Sequence, residues 1–182
     1  NVDTVYIFMN RGNQRAWGEE PSTSDATCTT AQEILQARIE RAPADVQALL
    51  ELPSGATFGL GSWQLEHMRQ CTLELSHLLV LLRDVCTCPQ MKVSDEWSFL
   101  CAAHSSPKEC SAWAYALHTV EGCSAVLNSK RWFPDRGDVP DDTLRILHSC
   151  ARRVYRIFAH VCLHHRSVFD AHENERHLCA RF

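Results

Sequence analysis

The chain has 182 residues, a formal net charge of −4, 45% hydrophobic and 22% charged residues. That length can bury one sizeable core, and the balance is that of an ordinary globular protein, far from an intrinsically disordered chain. The acidic net charge argues against a general nucleic-acid binder, because neutralising phosphates needs a basic face.

Residues 1–27 read as an irregular, loosely attached N-terminal arm. Val2–Met9 is strand-like, but the stretch that follows is rich in Gly, Pro, Ser and charge. A single domain is expected over 28–182. Thr29 and Thr30 offer an N-cap to a helix over Ala31–Arg41, with Ile34, Leu35 and Ile39 on one side. Asp45–Leu52 reads as a short helix closed by Pro53, and glycines at 55, 59 and 61 bracket a loop. The strongest helix follows. Trp63, His67, Gln70, Cys71, Glu74, Leu78, Leu81 and Leu82 recur at three- and four-residue steps until Cys86-Thr87-Cys88-Pro89 breaks the pattern.

The segment from Trp97 to His104 is short, apolar and aromatic, and a small β-ribbon is expected near residues 97–110. Cys110–Asn128 reads as a helix and Pro134–Pro140 as a loop. Asp141 or Asp142 then caps a helix running from Thr143 to about Phe169. Its stripe is Leu144, Leu147, Ala151, Val154, Phe158 and Val161. The fold class is all-α. Trp97, Trp113 and Trp132 read as core anchors.

Ten cysteines would suit a secreted disulfide framework, but their placement points elsewhere. Cys71, Cys101, Cys150 and Cys162 lie among apolar residues at helical spacing, where a free thiol packs as a small hydrophobe. A reduced, cytoplasmic protein is expected. Wholly apolar runs such as Leu78–Leu82 are far too short to span a bilayer.

Two constellations carry chemistry. Cys86 and Cys88 end one helix, and His160, His164 and His165 lie on a later one. Zinc takes about four thiolate or imidazole ligands in a tetrahedron, so this set would pin two distant helices together in a structural role. Residues four apart on a helix share a face, whereas residues five apart diverge by about 140°. Helix geometry therefore favours His164 over His165 as the companion of His160. The second constellation is Arg152, Arg153 and Arg156, which span about 100° of arc opposite the apolar stripe. Guanidinium forks bind phosphate bidentately, a recurring mode of phosphopeptide recognition.

Catalytic signatures are missing: there is no G-x-S-x-G, no Gly-rich phosphate loop and no H-E-x-x-H. A metalloenzyme built on Cys86, Cys88 and His160 would need an open coordination position and a general base, and nothing in the sequence supplies the base.

Several strings combine into a resemblance. They are Trp63-x-x-Glu66-His67-Met68-Arg69-Gln70, Cys86/Cys88 with Gln90-Met91, and Glu96-Trp97-x-Phe99-Leu100-Cys101-Ala102-Ala103-His104. Further strings are Pro107-Lys108-Glu109-Cys110, Leu127-Asn128-Ser129, Arg152-Arg153-x-Tyr155-Arg156-x-Phe158-x-His160 and His164-His165-Arg166. Together they resemble the MOB family of kinase-associated adaptors, and within it the phocein branch. The likeness covers roughly residues 28–182, is most specific from Trp63 onward, and suggests that the family's last helices lie beyond Phe182.

The resemblance implies a helical bundle on a long core helix with a structural zinc held by Cys86, Cys88, His160 and His165. It thus puts His165, not His164, in the ligand set. The family's cysteines are separated by four residues, so Cys86-x-Cys88 is a departure, three residues shorter. It also carries a phosphate-binding pocket onto Arg152, Arg153 and Arg156. The function implied is a non-enzymatic adaptor of the striatin-containing phosphatase–kinase (STRIPAK) assembly. Its partners would be a striatin-like scaffold, germinal-centre kinases and phosphorylated peptide segments. The branch is further associated with membrane traffic, which implies peripheral attachment at Golgi or other endomembranes through partners. The alternative is a coactivator of NDR/LATS-type kinases. That branch docks a basic kinase segment on an acidic N-terminal surface, whereas Ala31–Arg41 carries charges of both signs.

Overall fold

A computed structural model describes residues 30–182 and shows a helical bundle, so the reading of an N-terminal arm and strand lies outside the described residues. Its first helix, α1 (Ala31–Arg41), starts where Thr30 and Glu33 form a capping box. The Thr30 hydroxyl accepts from the Glu33 amide, and the Glu33 carboxylate accepts from the Thr30 amide. The short α2 (Val46–Leu50) is capped by Asp45. Its carbonyls find side-chain donors: Arg38 Nη1 reaches Ala48 and Glu51, Trp63 Nε1 reaches Leu50, and His67 Nε2 reaches Leu49. Leu35, Leu49 and Trp63 close a small satellite core beneath this corner.

The long helix α3 (Leu60–Leu82) is the axis of the bundle and packs against α1 and all the later helices. Leu65, Leu75, Leu78, Leu79 and Leu82 are buried along it, at the three- and four-residue steps of one helical face. They meet Tyr115, Ala116, Val120 and Leu127 of α4 (Ala112–Leu127) and Leu147, Val154, Ile157, Phe158 and Val161 of α5 (Leu144–His164). Trp113 locks α4 to the end of α3 through Nε1–H donation to the Leu79 carbonyl at 3.1 Å. The chain closes with α6 (Arg166–Arg176) and α7 (Leu178–Arg181). Arg181 returns to α3 and pairs with Glu74 at 2.6 Å, both side chains largely buried.

Four sequence expectations change. The helix expected over 143–169 is two: Asp141–Thr143 is a 3-10 turn, α5 stops at His164, and α6 starts anew. Neither Asp141 nor Asp142 caps α5; Thr143 is in that place, without a side-chain cap bond. The ribbon near 97–110 is reduced to two isolated antiparallel bridges, Lys92↔Ser98 and Cys101↔Lys108. Trp97 is 66% exposed and Trp132 38%, so of the three tryptophans only Trp113 anchors the core.

Burial beside α2 holds the His67 imidazolium back, so that its pKa falls to about 4. A base whose folded-state pKa is depressed contributes stability that is lost as pH falls from about 6.5 towards 4. At pH 5 the loss is expected to reach up to about 2 kcal/mol. His67→Gln, which keeps an N–H for the Leu49 carbonyl, should lose less on going from pH 7 to pH 5. Urea midpoints of both chains at the two pH values check this.

Candidate metal centre and arginine face

The turn leaving α3 is held by the Cys86 amide, which donates to the Leu82 carbonyl at 2.8 Å. Two residues on, the Cys88 carbonyl accepts from Ala112 at the start of α4. Both thiols thereby sit on a short stretch tied at each end to a helix. Opposite them is the end of α5. His160 is buried on the helix proper, while His165 leaves helical geometry with φ −135° and ψ 47°. The 140° divergence of an unbroken helix therefore does not apply, and the imidazole swings back to the side of His160.

The Cys86 Sγ lies 3.7 Å from His160 Nε2, and the Cys88 Sγ lies 3.5 Å from His165 Nε2. All four donor atoms are within 4.8 Å of one another. His164 stands outside the group, exposed, with its ring tilted at 36° to that of His160 and the centroids 4.8 Å apart. The preference that ideal helix geometry gives His164 is thus corrected by the break at His165.

Electrostatics and tautomer suit a cation. His160 Nδ1–H donates to the Lys92 carbonyl at 2.7 Å, which leaves the Nε2 lone pair facing the thiols. Burial, with neighbouring histidines adding, keeps His160 and His165 below their ordinary pKa, in the neutral form that ligates. Burial also raises the Cys86 thiol, which in this setting needs a positive charge to become thiolate. Zinc–sulfur bonds of about 2.3 Å and zinc–nitrogen bonds of about 2.0 Å place S and N about 3.5 Å apart in a tetrahedron. The observed separations match, so Cys86, Cys88, His160 and His165 fit a structural zinc. The shortened Cys86-x-Cys88 spacing is accommodated because one cysteine closes the helical turn and the other begins the next segment.

On another side of α5, Arg152 and Arg153 are exposed and Arg156 is half-buried. Val154, Ile157 and Phe158 bury the opposite face. Arg156 is oriented: its Nη1 donates to Tyr115 Oη at 2.9 Å, and its guanidinium lies 4.4 Å from the Phe99 ring centroid. At i, i+3 and i, i+4 spacing the other two arginines are its helix neighbours. Sequence reasoning missed Tyr115 and Phe99, although Phe99 belongs to one of the family-like strings.

The Mob1/phocein family model matches residues 37–182. The chain is 42% identical over 169 residues to the Drosophila melanogaster "MOB kinase activator-like 4", covering 91% of this chain and 75% of the relative. It is 46% identical over 154 residues to the Caenorhabditis elegans "MOB-like protein phocein", covering 83% and 68%. Against the Drosophila "MOB kinase activator-like 3" the identity is 26% over 143 residues, 74% of this chain and 62% of the relative.

Zinc present at a thousandfold excess over its Kd stabilises a fold by about 4 kcal/mol, or about 8 to 16 °C for a chain of this size. Cys88→Ser is expected to lower the thermal midpoint by up to that amount in zinc-containing buffer. The two midpoints should draw together when a strong chelator is added, which differential scanning calorimetry measures.

Proposed function

The chain belongs to the Mob1/phocein family, in its phocein branch, and from that premise we propose that it is a non-enzymatic adaptor of the STRIPAK phosphatase–kinase assembly. MOB proteins are regulatory adaptors that bind kinases and other proteins, and are not enzymes. In this reading a phosphorylated segment docks on Arg152, Arg153 and Arg156, while other surfaces hold a striatin-like scaffold and germinal-centre kinases. The zinc held by Cys86, Cys88, His160 and His165 is structural and stiffens the end of α5.

The observation that carries the reading is the fixed pose of Arg156. A cation held by Tyr115 and Phe99 has already lost much of its rotamer freedom, so a phosphate meets an oriented fork. Arg152 and Arg153 add charge at the edge, and their mutual repulsion is relieved by a bound dianion. No helix among the described residues is long and apolar enough to cross a membrane. Endomembrane attachment, at the Golgi for instance, would run through partners.

Docking of a basic NDR/LATS-type kinase segment finds less support on α1. Glu33 is committed to the capping box and Arg38 to the carbonyls of α2, so charges of both signs serve the fold there.

A phosphothreonine peptide should bind more tightly than its unphosphorylated twin, with affinity falling as salt rises. A charge-assisted hydrogen bond is worth about 1.5 to 3 kcal/mol, so Arg156→Ala should weaken phosphopeptide binding roughly 10- to 100-fold. The combined variant Arg152→Ala/Arg153→Ala/Arg156→Ala should abolish the preference for phosphate. Isothermal titration calorimetry reads both. Equal affinity for the two peptides in the unaltered chain would overturn the pocket.

A further inference from the structure

Between α3 and α4 the chain runs through a long segment without helix or named strand. A second group of sulfur and nitrogen donors converges there. The bridge between Cys101 and Lys108 closes a turn, with the Cys101 amide donating to the Lys108 carbonyl at 2.7 Å and the reverse bond at 3.2 Å. His104 sits on that turn. Cys110 follows the bridge, Ser111 caps α4, and His118 lies two turns into that helix.

The four side chains meet. Cys101 Sγ is 3.5 Å from His118 Nδ1, and Cys110 Sγ is 3.0 Å from His104 Nε2 and 4.0 Å from His118 Nδ1. All four donor atoms lie within 4.8 Å of one another. The imidazoles cross edge to face, with centroids 5.0 Å apart. Cys101 is buried and the other three are half-buried, so the donors are sheltered yet reachable.

We propose that Cys101, His104, Cys110 and His118 form a second structural zinc site, separate from the one at the end of α5. Three features carry this. The S···N separations bracket the roughly 3.5 Å of a tetrahedral zinc with two sulfurs and two nitrogens. Hydrogen bonds join groups in pairs, whereas these four atoms gather about one point, as ligands of a common ion must. Two thiolates and two neutral imidazoles also balance a divalent zinc, so a half-buried site carries no net charge, and this ligand set selects zinc over harder ions.

The gain for the fold is local. The segment before α4 has few backbone hydrogen bonds of its own, and a metal would tie its turn to α4 at His118. Phe99 precedes Cys101 by two residues, and Tyr115 precedes His118 by one helical turn. The two groups that hold Arg156 are thus both close in sequence to proposed ligands.

The test is zinc content per chain by mass spectrometry, after dialysis against a weak competing chelator. The unaltered chain is compared with His104→Asn, Cys110→Ala and Cys88→Ser. The unaltered chain should hold two zinc ions, and each variant one. The site is overturned if His104→Asn and Cys110→Ala keep as much zinc as the unaltered chain. A deficit confined to Cys88→Ser would then leave the first centre standing alone. Failure of the first centre instead shows as a Cys88→Ser chain with no deficit. Should the loop variants fail to fold, cadmium-113 resonance on the unaltered chain decides. Two signals of comparable shift are expected, and a single signal at saturating cadmium would overturn the second site.

Discussion

An unbroken α-helix points residues five apart some 140° away from each other, so His160 and His165 can face one place only because α5 ends between them. That interruption organises much of the molecule. With His165 out of helical geometry, two imidazoles meet two thiols that lie more than 70 residues earlier in the chain. The end of α3 and the end of α5 are therefore joined at a point. The Lys92 carbonyl that orients His160 draws the beginning of the α3–α4 segment into the same junction.

The α3–α4 segment is where the bundle would be weakest without help. Among the described residues it is the longest stretch lacking helix, and it carries two isolated bridges in place of a sheet. Its order comes from side chains. Met91 is buried, and Phe99 packs beneath Arg156. Cys86 and Cys88 mark its beginning, and Cys101, His104 and Cys110 gather towards its end. A chain that cannot lay apolar helical faces on a core needs another source of cohesion, and clustered thiols and imidazoles provide the chemistry for one.

The same helix, α5, divides its circumference among three tasks. One face is buried against α3 and α4, its C-terminal turn carries His160, and a third sector bears the arginines. Because Val154 and Ile157 are wholly buried, the helix cannot rotate without losing core contacts, and the arginine row inherits that rigidity. Arg156 is further tied to α4 by Tyr115 and to the preceding segment by Phe99. Recognition thus draws on parts of the chain well separated in sequence, and the core that fixes α5 also fixes the direction in which the guanidinium points.

Local pattern was sufficient for much of this. The Thr30–Glu33 capping box, the apolar steps of α3 and the limits of α4 are short-range properties, set by hydrogen bonds and side-chain spacing within a few residues. The arginine row was legible for the same reason, since it lies on one helix. Other features depend on packing between distant segments. Periodicity continued α5 past His165 and so favoured His164 as a ligand, whereas tertiary contacts end the helix and bring His165 to Cys88. Hydrophobicity made Trp97 a core residue, yet it is exposed because its segment runs over the surface. Cys101 resembled any packing thiol until the fold placed His104, Cys110 and His118 around it. A helix is written in neighbouring residues, but a cluster of donors from a turn and a helix exists only once the chain has closed on itself.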